Sequence, residues 1–206
     1  MLGHSAAVTP AGVEAPAARY TTVAIALHWI IAIGILSLIV LGLIMTQLDL
    51  TTGTKFRLFQ LHKSIGITVL GFALLRLAWR LSHRPPPLPH SMPTAERQAA
   101  ESTHTALYAF MLGMPLSGWA VVSASPRNIP TVLYGILPWP HLPVLSTLHD
   151  KAPVEKVLVY VHVVGAWILI ALLALHIGAA LRHHFWLRDN IMWRMLPWSS
   201  HRRRAS

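Results

Sequence analysis

Four long apolar stretches, at residues 23–45, 58–79, 105–123 and 157–181, divide this chain, and each is followed by polar, Arg-rich or Pro-rich residues. About 20 apolar residues cross a bilayer as a helix, so the pattern predicts four membrane spans and an all-α transmembrane four-helix bundle. A soluble bundle with unusually apolar helices is the alternative reading. The third stretch is the weakest, interrupted by Met114-Pro115 and Ser117-Gly118. Proline is tolerated there when neighbouring helices satisfy the freed carbonyl.

The connections fit the same layout. Arg84-Pro85-Pro86-Pro87 ends the second span and starts an extended segment. Residues 124–155 form a long Pro-rich loop, and a loop of that length is more often functional than idle. Trp79, Trp186, Trp193 and Trp198 fall at span boundaries, as interfacial aromatics do. Residues 189–198 read as an amphipathic segment lying along the membrane surface. The domain organisation is a disordered Ala/Pro-rich tail at 1–18, a membrane domain at 19–198 and a basic tail at 199–206.

Orientation follows from Lys and Arg, which collect on the cytoplasmic side. Arg19, Arg76, Arg80, Arg84, Arg97, Arg182, Arg188, Arg194, Arg202, Arg203 and Arg204 share the side of the termini. Lys55, Arg57, Lys63, Arg127, Lys151 and Lys156 share the other. The imbalance predicts that both N- and C-termini of this multi-pass protein are cytoplasmic.

Composition narrows the chemistry. Only 12% of residues are charged, against about 25% in soluble domains, which again favours a membrane protein. The net charge of +10 sits beside apolar segments, so it points to lipid headgroups and not to nucleic acid. The absence of cysteine excludes disulfides, thiolate metal sites and covalently attached c-type haem. Thirteen histidines leave imidazole as the dominant metal ligand.

Four of them, His28, His62, His162 and His176, lie inside the spans. His162 and His176 are fourteen residues apart, which on one helix brings both to within about 40° of one face and separates them by roughly 21 Å. Depth matching pairs His28 with His176 near the cytoplasmic surface and His62 with His162 near the outer one. Two such pairs suit two haem groups in series, each iron held by two imidazoles and thus closed to oxygen activation. A transition-metal transporter is the rival, since imidazole also binds Zn, Cu and Ni. The span interiors lack Asp and Glu, which favours haem. Arg76 lies fourteen residues after His62 and is placed to pair with a propionate of the inner haem. Lys63 and Arg57 are weaker outer counterparts. Gly66, Gly165 and Gly178 stand beside three of the four ligands, where small residues allow close approach. His104, at the inner start of the third span, is either a surface residue or a contact to an inner haem or quinone. His183 and His184 read as interfacial residues, and His141 and His149 as loop residues.

Several segments together resemble the bacterial cytochrome b561 family. They are Ala26-Leu27-His28-Trp29, His62-Lys63-Ser64-Ile65-Gly66, Leu74-Leu75-Arg76-Leu77-Ala78-Trp79-Arg80, Met114-Pro115-Leu116-Ser117-Gly118, Val161-His162, Leu175-His176, and the ending from His183-His184-Phe185-Trp186 to Met195-Leu196-Pro197. The resemblance implies two haem b groups on the same four histidines and electron exchange with ubiquinone. Members most similar in length and ending look like superoxide oxidases, which pass an electron from periplasmic superoxide to ubiquinone. Others serve as haem-bearing anchor subunits that relay electrons for a periplasmic redox enzyme such as a hydrogenase. The outer residues carry six cations against Asp49, Asp150 and Glu155, which would attract a small anion and favours the oxidase.

Overall fold

The computed structural model describes residues 19–87 and 92–197. The tail assignments at 1–18 and 199–206, with Trp198, fall outside the described residues. Four helices are long and apolar enough to cross a membrane: α1 (Thr22–Gln47), α2 (Thr52–Ser82), α3 (Thr94–Ser123) and α5 (Ala152–Leu181). A short helix, α4 (Pro143–Ser146), precedes α5. The chain is therefore an antiparallel four-helix bundle. One end carries the described termini and the α2–α3 connection, and the other carries the α3–α5 loop.

Local chemistry sets the helix starts. Thr21 and Thr51 cap α1 and α2 by accepting from the amides of Ala24 and Thr54. Pro153 occupies the first turn of α5, where a missing N–H costs nothing. α3 begins at Thr94, well before the expected 105. Its first turns, Thr94-Ala95-Glu96-Arg97-Gln98-Ala99-Ala100-Glu101, are polar, so hydropathy misses them, but they are rich in strong helix formers. α2 likewise starts at Thr52 and not 58.

The bundle is tight on one side and open on another. Ile31, Val69, Ala73 and Met111 form the buried core joining α1, α2 and α3. A Cβ on Gly34 would stand 2.6 Å from Val69 Cγ2, so only glycine permits the α1–α2 approach. α5 packs closely on α3, with Met114 Sδ seated 2.8 Å from a Cβ position on Gly165. The α5 backbone hardly approaches α1 or α2. No more than 22% of any span's most apolar window is buried inside the bundle, so the apolar surface faces outward. That arrangement suits lipid and not water.

Two connections differ from expectation. Residues 124–155 are folded: β1 (Thr131–Leu133) pairs antiparallel with β2 (Leu137–Trp139), and the hairpin leans on α2. At the other end, residues 189–197 form a hook folded against the bundle and not a continuous helix. α5 continues as a π-helical stretch, Arg182–Leu187, which stops at Arg188 in the left-handed conformation. The chain then hooks back through a 3₁₀ turn at Met192–Arg194. Trp29 Nε1 donates to the Met195 carbonyl, and Arg194 donates to that of Pro87. These long-range bonds hold the segment against the bundle, which amphipathic periodicity could not reveal. His183, read as interfacial, is paired with Asp189 inside this hook.

Candidate functional site

α5 is the shared wall. Its His176 ring lies 6.3 Å from that of His28 on α1, and its His162 ring 6.4 Å from that of His62 on α2, centroid to centroid. Both rings of each pair lie in the gap where α5 stands away from α1 and α2. Two imidazole–metal bonds of about 2.0–2.1 Å, plus roughly 1.1 Å from each nitrogen to its ring centroid, require a separation of about 6.3 Å. Each pair therefore has the separation that a single metal centre between two imidazoles requires.

The loop-end pair is built in detail. Ser117 Oγ donates to the Met114 carbonyl at 2.8 Å and lies 2.8 Å from His162 Nδ1. With its only proton used, Ser117 has only an acceptor to offer His162 Nδ1, the arrangement that leaves Nε2 unprotonated. Gly118, next along, is the residue that admits the ring: a Cβ there would stand 3.2 Å from His162 Cε1. Gly42 lies beside the His62 ring, where a Cβ would make ordinary van der Waals contact with Cε1 at 3.8 Å. His62 Nδ1 is buried and has no hydrogen-bond partner among the described residues. The Cβ position on Gly66, one turn further along α2, has no neighbour within 4 Å. A flat apolar group beside the paired rings would pass it without hindrance.

The terminal-end pair has a cationic surround. Arg76 Nη1 donates to the Ala24 carbonyl at 3.0 Å, and Arg76 Nε donates to the Tyr108 hydroxyl at 3.1 Å. Arg80 covers the other part of the same ring, 5.1 Å from its centroid. Arg76 lies within electrostatic range of His28, His104 and His176. The His104 ring is 5.5 Å from that of His176, so His104 faces the site and not the surface.

Sequence reasoning missed Tyr108, Ser117, Gly118 and Gly42. Ser117-Gly118 enters the sequence reading as an interruption of the third span and as part of a family-like segment, with no role at His162, although it stands as far from the end of its span as His162 does from the start of its own. Among the three glycines singled out, Gly165 serves helix packing, and Gly178 meets nothing within 4 Å. Lys63 reaches the Pro130 carbonyl of the hairpin, at 3.4 Å. Among the described residues no group of three or more His, Asp or Glu side chains is arranged to hold a metal ion. The imidazoles come as two pairs, with His104 as a third ring beside His176.

Four helices long and apolar enough to cross a membrane, with two imidazole pairs between them, define a helical-bundle membrane protein with paired histidines in its interior. The chain belongs to the prokaryotic cytochrome b561 family, whose model matches residues 19–198. That membership makes it a membrane electron-transfer protein of a family that carries haem b. It is 34% identical to "Cytochrome b561 homolog 2" of Escherichia coli (strain K12) over 183 residues, 88% of this chain and 93% of the relative. It is 25% identical to "Cytochrome b561 homolog 1" of the same organism, over 87% of this chain and 97% of the relative. It is 26% identical to "Probable superoxide oxidase CybB" of Yersinia pestis, over 87% of this chain and 96% of that protein.

Proposed function

We propose that this protein is a di-haem b superoxide:ubiquinone oxidoreductase of the bacterial inner membrane, with both termini cytoplasmic and residues 19–198 as its working domain. The observation that carries the reading is the opposed imidazole pair at each end of α5, at 6.3 and 6.4 Å. His28 and His176 are the axial ligands on the cytoplasmic side, and His62 and His162 those on the periplasmic side. A haem b at each pair supplies a one-electron iron centre with both axial positions filled. The metal-transporter alternative loses support, because the span interiors offer imidazoles and no carboxylate.

The remaining residues orient and balance charge. Ser117 fixes the direction in which His162 presents Nε2. Tyr108 and the Ala24 carbonyl hold the Arg76 guanidinium beside the inner pair, where it supplies the cation that a buried haem propionate needs. The cation excess at the loop end supports a small anionic donor, since such a field raises its encounter rate. The name of the Yersinia relative supports superoxide as that donor. Overall, two superoxide anions each lose one electron to become oxygen, and ubiquinone gains two electrons and two protons to become ubiquinol.

The test uses the purified full-length protein. Two haems per chain are expected, reduced by enzymatically generated superoxide, with a soluble ubiquinone analogue reduced faster than the spontaneous reaction. Absence of a Soret band would remove the haem reading. Two haems without superoxide-dependent quinone reduction would replace the oxidase by the anchor subunit.

A further inference from the structure

The α3–α5 loop carries a feature that electron transfer does not use. Residues 128–149 contain no Lys, Arg, Asp or Glu, although the loop joins two spans outside the bundle. Its hairpin does not project away from the bundle end. It folds back down the side of α2. Gln60 Nε2 donates to the Pro130 carbonyl at 2.9 Å, Tyr134 N donates to Ser64 Oγ at 2.9 Å, and the Tyr134 hydroxyl meets Thr68 Oγ1 at 2.8 Å. Along the hairpin toward its tip, the contacts move down α2 from position 60 to position 68.

Helix geometry converts those contacts into depth. Gly42 on α1 and Gly118 on α3 lie level with the His62/His162 pair, and the two helices end five residues beyond, at Gln47 and Ser123. At about 1.5 Å per residue, Ser64 lies roughly 10 Å and Thr68 roughly 16 Å below those helix ends. α1 has 26 residues and is about 39 Å long, so a hydrocarbon core of about 30 Å leaves about 4–5 Å of helix at each end. Ser64 then sits about 6 Å inside the hydrocarbon, and Thr68 about 12 Å.

The exposed side chains at that depth are apolar except for Tyr134, 55% exposed, whose hydroxyl is bonded to Thr68. Ile136 is 85% exposed and Leu137 56%, while Thr131 and Leu133 are buried against α2. Backbone donors are accounted for, as hydrocarbon demands. Gly135 N donates to Val132 O, Ile136 N to Leu133 O, and Tyr134 N to Ser64. Pro138 in β2 and Pro140 just after it have no N–H to leave unpaired. Tyr134 and Gly135 both adopt positive φ, +53° and +74°, the backbone of a tight hairpin turn. That conformation is uncommon for tyrosine, and its two bonds to α2 hold it there.

We infer that this hairpin is a re-entrant membrane element: its tip, Tyr134-Gly135-Ile136, inserts among lipid acyl chains of the leaflet at the loop end, clamped to α2 by Ser64 and Thr68. The inference is independent of haem ligation and of the electron donor. Because the chain has no cysteine, single-cysteine variants report on it directly. Ile136→Cys and Asp150→Cys lie at the same end of the bundle, so their relative labelling in proteoliposomes does not depend on insertion orientation. The reactive thiolate is disfavoured in hydrocarbon, so a membrane-impermeant maleimide should label position 136 at least about tenfold more slowly than position 150. Both should label equally after unfolding in detergent. A bimane at 136 should be quenched by acyl-chain-brominated phosphatidylcholine, and one at 150 should not. Ser64→Ala combined with Thr68→Val should raise labelling at 136 several-fold. Equal labelling at 136 and 150 in liposomes would overturn insertion, and an unchanged rate in the double variant would overturn the clamp.

Discussion

Replacing Ser117 by Ala removes a single oxygen atom, and its consequence should be electrochemical. In the folded chain that oxygen accepts the His162 Nδ1 proton at 2.8 Å while its own proton goes to the Met114 carbonyl. An acceptor on Nδ1–H makes the imidazole a stronger donor through Nε2 and so favours ferric iron over ferrous. A buried hydrogen bond is worth about 1 kcal/mol net. If most of that differs between oxidation states, about 1 kcal/mol corresponds to roughly 40 mV for one electron. Ser117→Ala should therefore raise the potential of the loop-end haem by a few tens of millivolts and leave the other within error. Ser117→Thr, which keeps the hydroxyl, should restore it. Spectroelectrochemical titration of purified protein resolves two components, and the one missing in His62→Ala identifies the loop-end haem. A shift of both components together, a fall in potential, or no shift with both haems retained would refute this coupling.

Other consequences follow from the same geometry. His62→Ala and His162→Ala should abolish one haem, and His28→Ala and His176→Ala the other, by spectrum and pyridine haemochrome. Loss of the same haem in His28→Ala and His162→Ala would overturn the pairing. Gly118→Ala places a methyl carbon 3.2 Å from His162 Cε1 and should lower occupancy of the loop-end haem while the other stays full. Gly34→Ala forces a methyl to within 2.6 Å of Val69 Cγ2. Overpacking of this kind costs about 1–3 kcal/mol, which thermal unfolding in detergent should report. Trp29→Phe removes the indole donor to Met195 and should speed proteolysis after Arg188 without changing haem content.

Much of the fold was legible in the chain. A span must supply its own backbone hydrogen bonds in lipid, so hydropathy alone marks a membrane helix, and the four apolar stretches became α1, α2, α3 and α5. The histidines were legible for the same reason: a polar side chain inside a span is costly enough to be noticed. Helix ends were less so. The polar first turns of α3 are held by backbone propensity and not by hydrophobicity, and the hook after Arg188 depends on hydrogen-bond partners more than 100 residues away in sequence.

What the sequence determined by itself was the set of four long helices and the position of each imidazole along its helix, because both are one-dimensional properties of a helix crossing a slab. Which helix faces cross which gap was decided only by the tertiary packing. Gly34 and Gly165 close two seams of the bundle, and α5 is left apart from α1 and α2, so that four separate histidines become two opposed pairs. The same packing brought Ser117, Gly118 and Tyr108 to those pairs, and laid an uncharged loop down the flank of α2. None of these contacts has a periodicity, since each depends on the rotation of one helix about its axis relative to another. That rotation is fixed by the fit of side chains and not by their hydrophobicity.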